Sequence, residues 1–375
     1  ITIMALKRLR RAALAALSVA ALATGSIDAW AAGTLRVGMT ASDIPLTTGQ
    51  TDQGGEGMRF MGYTVYDSLI EWDLTSSDKP SVLIPGLATE WSVDADDKTK
   101  WTFKIREGVT FHDGSPLTAS DIVWNFDKLL DADSEQYDPR QSAQGKSRIP
   151  AVASYKAVDD YTLEIITKTP DATLPYPLAW ILMSTKANWE AHGKNWEEVA
   201  KEPSGTGPWK LSSFVPRERA ELVPNPEYWD DTRVPQLDKM VLMPLPEPNA
   251  RTAALLSGQV DWIEVPPPDA IPGLEAAGFE ISMKTYPHIW PHIFSFNEGS
   301  PFLDKRVRQA ANYAIDREGL AYLMNGTVRP ASGYVPPEDA WYGSPTQDYK
   351  YDPDRARELL AEAGYGPDNK VPMKV

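Results

Sequence analysis

Thr34-Leu-Arg-Val-Gly-Met39 alternates apolar and polar positions, the two-residue period of a strand. The same alternation predicts strands at Trp101–Ile105, Tyr161–Ile166 and Lys239–Met243. Trp209–Phe214 and Ala220–Val223 flank Pro216-Arg217-Glu218 and read as a hairpin. After the turn residues Gly108 and Asp113-Gly114 the period becomes helical. Thr118 caps that helix with Asp121 completing a capping box, and Ile122, Phe126, Leu129 and Leu130 share one face. A short helix is expected from an Asn249 cap to the stop at Gly258. Asp304–Ile315 reads as a helix with Val307, Ala311 and Ile315 inward, and Asp352-Pro353 opens a last helix that ends at Gly364. Residues 41–57, rich in Thr, Gly, Gln and Asp, read as a loop, and Val371–Val375 as the start of an extended segment. Strands interspersed with helices predict an α/β chain. Pro266-Pro267-Pro268 is stiff punctuation, a candidate hinge or boundary.

Composition narrows the function classes. With 375 residues, 42% hydrophobic and 24% charged, the chain has room for two or three ordinary globular domains. A net charge of −15 opposes general nucleic-acid binding, which needs a basic face. Zero Cys excludes disulfides, thiolate metal sites and a Cys nucleophile. The unusual counts are 13 Trp and 32 Pro. Trp suits both cores and ligand clefts.

Lys7, Arg8, Arg10 and Arg11 precede the apolar run Ala12–Ala23, and Ala29-Trp30-Ala31 gives a small-x-small cleavage pattern. These parts in this order are expected to be a secretory signal peptide over residues 1–31, with a mature N-terminus at Ala32. Arg10-Arg11 admits twin-arginine export, but the flanking residues favour the general secretory route. No later stretch is long and apolar enough to span a membrane, so an exported, periplasmic product is expected.

Catalytic signatures are sparse. There is no Gly-x-Ser-x-Gly, His-Glu-x-x-His or Gly-x-Gly-x-x-Gly. Gly145-Lys146-Ser147 resembles the end of a phosphate loop, yet Arg140 stands where that motif needs Gly. His288 and His292 have the spacing of a helical metal pair, but Pro287 and Pro291 oppose a helix there. No metal, no cofactor and no enzymatic role are expected.

Five segments in order resemble the family 5 bacterial extracellular solute-binding proteins of ABC importers, whose members bind oligopeptides, dipeptides or nickel. They are Pro85–Trp91 followed by Trp101–Asp121, which is similar to the family signature almost throughout, then Gly205–Trp209 with Asn225–Trp229, Ala253–Asp261, Phe296-Asn297 with Pro301–Ala310 and Tyr313–Arg317, and Tyr351–Gly364. Most of these residues are expected to be scaffold. Gly205 and Gly207 would supply backbone geometry closed to other residues, and Arg306 and Arg308 would pair with carboxylates.

The resemblance implies an α/β, two-lobed periplasmic-binding-protein fold of three domains. Domain I would be residues 32–66 and 187–280, domain II residues 67–186, and domain III residues 281–375. It implies a chain that stops within domain III, without the part that in peptide-binding members holds the ligand's amino group. It implies a monomer that captures a small solute, by default a peptide, through hinge closure. The receptor would then deliver the solute to a permease and ATPase complex at the inner membrane. Nickel chelates, opines and oligosaccharides are alternative ligands, and a secreted hydrolase is the rival from another class. The loop bearing Thr47, Thr48, Gln50 and Thr51 is expected to face the ligand, because the family's corresponding loop does. Tyr286–Phe296 resembles a strand passing beneath the ligand, and alternation would put Trp290, His292 and Phe294 on one face. Trp180 is a further candidate, from the domain II segment expected nearest the ligand.

Overall fold

The computed structural model describes residues 33–76, 81–284 and 289–373. The expected signal peptide lies outside the described residues. The chain divides into two compact units, and each is described by itself. The first takes in the chain up to Leu69, Gly86–Pro246 and Gly258–Ile263; the second takes in Ile70–Pro85, Glu247–Ser257 and Glu264 onward. In chain order the strands are β1 (Thr34–Met39), β2 (Ile70–Trp72), β3 (Leu83–Pro85), β4 (Ala88–Val93), β5 (Lys100–Ile105) and β6 (Val152–Asp159). They continue with β7 (Thr162–Thr167), β8 (Trp209–Val215), β9 (Arg219–Pro224), β10 (Lys239–Pro244) and β11 (Trp262–Ile263).

The first unit holds a sheet of order β11-β1-β10-β9-β8. β1 runs parallel to both of its neighbours, while β10, β9 and β8 form an antiparallel meander. Parallel neighbours need a long crossover between them, and the intervening chain supplies it. Val37, Met39, Ala220, Leu222 and Leu242 are buried in one cluster under this sheet. Arg36 clamps the β11 edge with a two-pronged pair to Asp261, at 2.9 and 2.7 Å.

A second sheet of the same unit, β4-β5-β7-β6, is antiparallel throughout. Trp101, Phe103 and Ile105 of β5 and Leu163 and Ile165 of β7 are buried, as alternation requires. The Ala119–Leu130 helix covers it, with Ile122, Phe126 and Leu129 fully buried. Its capping box forms as expected: the Thr118 amide and hydroxyl both donate to Asp121, at 2.8 and 2.9 Å. These strands and this helix fall in the segment expected as domain II, and the five-stranded sheet falls in the segments expected as domain I.

The second unit is built from the β2–β3 hairpin and short helices. Helices Lys305–Tyr313 and Pro353–Glu362 pack together around Ala310, Ala356 and Leu359. The chain enters this unit between Ile263 and Glu264, just before the Pro266–Pro268 triplet. Within this unit buried Arg251 donates to the carbonyls of Glu264 and Val265, both at 3.0 Å.

Several local expectations are corrected. Glu247, not Asn249, caps the Pro248–Leu256 helix, because Pro248 takes the first helical position. Residues 41–57 are not all loop: a helical turn at Gly54–Gly57 leads into a π-turn at Met58–Gly62 whose apolar residues are buried. In the Lys305–Tyr313 helix, Val307 and Ala310 face inward, Ala311 is only partly shielded, and Ile315 is exposed beyond the helix end. The inward pair is spaced by one helical turn, and Asp316 then caps a separate helix at Arg317–Leu323. Residues 289–296 and 371–373 carry no strand. Pro291 lacks an amide donor for a ladder.

Candidate functional site

The loop after β1 is held inside the first unit. Thr47, Thr48, Gln50 and Thr51 are all buried. The Thr47 hydroxyl donates to the Ala200 carbonyl at 2.7 Å, and the Tyr66 hydroxyl donates to the Thr47 carbonyl. Gln50 spends its whole side chain on the backbone of residues 180–182. Its Nε2 donates to the Trp180 carbonyl at 2.7 Å, and its Oε1 accepts from the Leu182 amide at 3.2 Å. Thr51 contacts the Met58 sulfur at 3.4 Å. The Thr48 hydroxyl is buried with no hydrogen-bond partner among the described residues. Two of the four short polar side chains that suggested an open, solute-facing loop, Thr47 and Gln50, therefore satisfy the protein's own backbone.

Gln50 and Trp180 thus come together. The Trp180 ring is half-buried against the core of the first unit, on which Tyr63 also packs, and the Arg148 guanidinium lies 4.1 Å over it. Trp290, His292 and Phe294 belong to the second unit. Trp290 is 82% exposed and His292 is exposed, whereas Phe294 is partly shielded and stacks on Phe302 at 4.5 Å. The expected shared face of a strand is absent, so these three do not line up as alternation required. Tyr286 and His288 lie outside the described residues.

Beneath the 47–51 loop sits a group that sequence reasoning missed. Lys128 is fully buried on the Ala119–Leu130 helix. Its Nζ donates to Asn125 Oδ1 and Ser184 Oγ, both at 2.9 Å, and lies 5.8 and 5.5 Å from the Trp124 and Trp196 rings. Burial pulls its pKa from 10.5 down to about 7, opposed by the charge of Asp138. The available signal was its helical position: Lys128 lies one turn after Trp124 and Asn125, among buried neighbours.

The family-like motifs meet one another as scaffold. The Asp67 carboxylate is buried and accepts from the Thr206 hydroxyl at 2.7 Å, the Tyr228 hydroxyl at 2.9 Å and the Trp229 indole at 2.9 Å. Gly205–Trp209 and Asn225–Trp229 therefore converge on one side chain. The reason for Gly205 and Gly207 is close approach rather than a special backbone angle: an added Cβ would meet the Val65 and Thr64 carbonyl oxygens at 2.1 and 2.5 Å. His112 donates from Nε2 to the Gly207 carbonyl at 2.9 Å, and burial lowers its pKa to about 4, keeping the ring neutral. Arg306 pairs with Asp304 at 2.6 Å as expected. Arg308 instead donates to the Phe302 and Leu303 carbonyls. Among the described residues no group of three or more His, Cys, Asp or Glu could hold a metal. No helix among them is long and apolar enough to cross a membrane.

Residues 82–373 match the bacterial extracellular solute-binding proteins, family 5 middle region. The chain is 28% identical to the dipeptide-binding protein of Escherichia coli (strain K12) over 316 residues, which cover 80% of this chain and 58% of that one. It is 32% identical to the glutathione-binding protein GsiB of the same strain over 292 residues, 77% of this chain and 54% of the relative. The chain thus spans about half the length of the curated relatives it matches. Among solved structures it is similar to the periplasmic binding protein DppA from Helicobacter pylori in complex with the peptide STSA. The TM-score is 0.71 at 25% identity, covering 89% of this chain and 66% of that one. The α/β periplasmic-binding-protein fold implied by the motifs is the fold found, and the chain belongs to the family 5 bacterial extracellular solute-binding proteins.

Proposed function

We propose that this chain is the solute-binding component of an ABC importer, exported to the periplasm, and that its solute is a peptide. The observation that carries the reading is the family match across residues 82–373, in a fold whose motif residues are engaged as scaffold. The relatives' names add the ligand class: one is called dipeptide-binding and another glutathione-binding. Extended peptides suit such receptors, because main-chain hydrogen bonds grip them without regard to side chains. In this reading the protein is a monomer, needs no cofactor and performs no chemistry. Capture is a population shift toward a closed form that the solute stabilises, and the closed form is what a permease and ATPase complex recognises. Three domains, at 32–66 with 187–280, 67–186 and 281–375, would provide the moving parts.

The test is a melting assay of the full chain with tri-alanine and glutathione, alongside an assay for their hydrolysis. Solute at 100 times its dissociation constant should add about 2.7 kcal/mol of stability and be recovered unaltered. No stabilisation by either peptide would remove the peptide assignment. Hydrolysis products would replace the receptor with an enzyme.

A further inference from the structure

Arg148 is a half-buried guanidinium with no hydrogen-bond or ion-pair partner among the described residues. It ends the Lys146–Arg148 turn and lies over Trp180, its Cζ 4.1 Å from the ring centroid. Burial lowers its pKa, and the other influence on it is Tyr63 rather than a carboxylate. It remains charged at any physiological pH. Other shielded arginines of the chain are engaged: Arg36 with Asp261, Arg106 with the Gly86 carbonyl, Arg251 with the Glu264 carbonyl and Arg317 with Asn312. Unlike these, Arg148 meets no protein acceptor among the described residues. A cation–π contact of this kind uses none of the guanidinium's N–H donors.

The platform beneath it is fixed. The Trp180 amide donates to the Pro177 carbonyl at 3.0 Å, its carbonyl accepts from Gln50, and the neighbouring Ala179 carbonyl accepts from the Tyr63 hydroxyl at 3.3 Å. A planar fork of donors held in place, with no protein acceptor, matches the two oxygens of a carboxylate. We propose that Arg148, stacked on Trp180, is an anchor for a carboxylate of the bound solute. The inference rests on the solute-receptor reading and deepens it: the solute is an acid, such as a peptide with a free C-terminus.

Calorimetric titration of the full chain tests this with tri-alanine and glutathione, their carboxyl-blocked counterparts tri-alanine amide and glutathione dimethyl ester, and maltotriose. The expected result is that an acid binds at least tenfold more tightly than its carboxyl-blocked counterpart. Arg148→Gln should weaken the acid at least tenfold while leaving the counterpart unchanged, the size expected for charge-assisted hydrogen bonds. Arg148 is half-exposed, so the ligand-free melting temperature should move by less than about 2 °C. If Arg148→Gln melts lower than that, Arg148→Lys, which keeps the charge and loses the fork, is judged by the same tenfold criterion. An acid weakened less than tenfold, a counterpart bound as tightly as its acid, or binding of maltotriose alone would overturn the anchor and leave the receptor standing. Failure of the wild-type chain to bind any of the five would overturn both.

Discussion

Lys128 Nζ occupies the space into which a side chain on Gly49 would grow: a Cβ there would lie 2.8 Å from the ammonium and 2.7 Å from Gln141 Oε1. Gly49 also has φ +132°, which L side chains rarely adopt. The close packing of the 47–51 loop onto the buried lysine therefore depends on this glycine. Gly49→Ala should cost about 2–3 kcal/mol through backbone strain and displacement of two buried polar ends. Denaturant unfolding measures it, and a loss below about 0.5 kcal/mol would show that the loop relaxes freely.

Lys128 should make stability depend on pH. Its pKa is about 7 in the folded chain against 10.5 ordinarily. Below pH 7 both folded and unfolded chains carry the proton, and the folded state bears the full cost of a buried cation. Between about 7 and 10.5 the unfolded chain holds a proton that the folded chain lacks. This group therefore makes stability rise across that window, by at most ~1.4 kcal/mol for each step of one in pH. Above that window the effect is constant. Lys128→Met should abolish the rise and be tolerated at pH 7, because Asn125 Oδ1 still accepts from the Ser184 amide at 3.0 Å. Unfolding of both proteins from pH 6.5 to 10 tests this. Parallel curves would mean that the lysine keeps its proton in the fold.

Asp67→Ala should be more damaging than Asp67→Asn. Alanine leaves the buried Thr206 hydroxyl without its acceptor and deprives the Trp229 indole of the same carboxylate oxygen. A cost of about 3–5 kcal/mol is expected, since a polar cluster loses its centre. Asparagine keeps one acceptor oxygen, and the Tyr228 hydroxyl can rotate to accept from the new amide. Equal unfolding midpoints for the two variants would show that the carboxylate's charge, not its oxygens, holds the motifs together.

These effects divide the legible from the hidden. β1, the hairpin of β8 and β9, and the capped Ala119–Leu130 helix were readable because each is set by a local period and a local cap. The burial of Thr47, Thr48, Gln50 and Thr51 was not, because it depends on partners as distant as Ala200, Trp180 and Leu182. Composition alone gives a polar loop the same appearance whether it meets a solute or its own backbone. Arg148 was equally silent: nothing near it in sequence says that Trp180 will lie beneath it. Residues 289–296 failed for the opposite reason, since alternation was present there without a strand.

Trp290 and His292 remain the exposed candidates for contact with a solute. Trp290 keeps 82% of its surface open. An indole so exposed contributes little to the fold, and apolar surface of that size gains from being covered by a ligand. Trp290→Ala and His292→Ala should therefore leave the ligand-free unfolding free energy within about 0.5 kcal/mol. Trp290→Ala should weaken tri-alanine binding by roughly tenfold or more, through lost burial of the ring on the peptide. His292→Ala should weaken it less, because an exposed polar contact competes with water. Paired titration and melting measurements separate the outcomes. Lost affinity at unchanged stability places these residues against the solute. Unchanged affinity removes them from the site, and destabilisation of the ligand-free chain assigns them to packing instead.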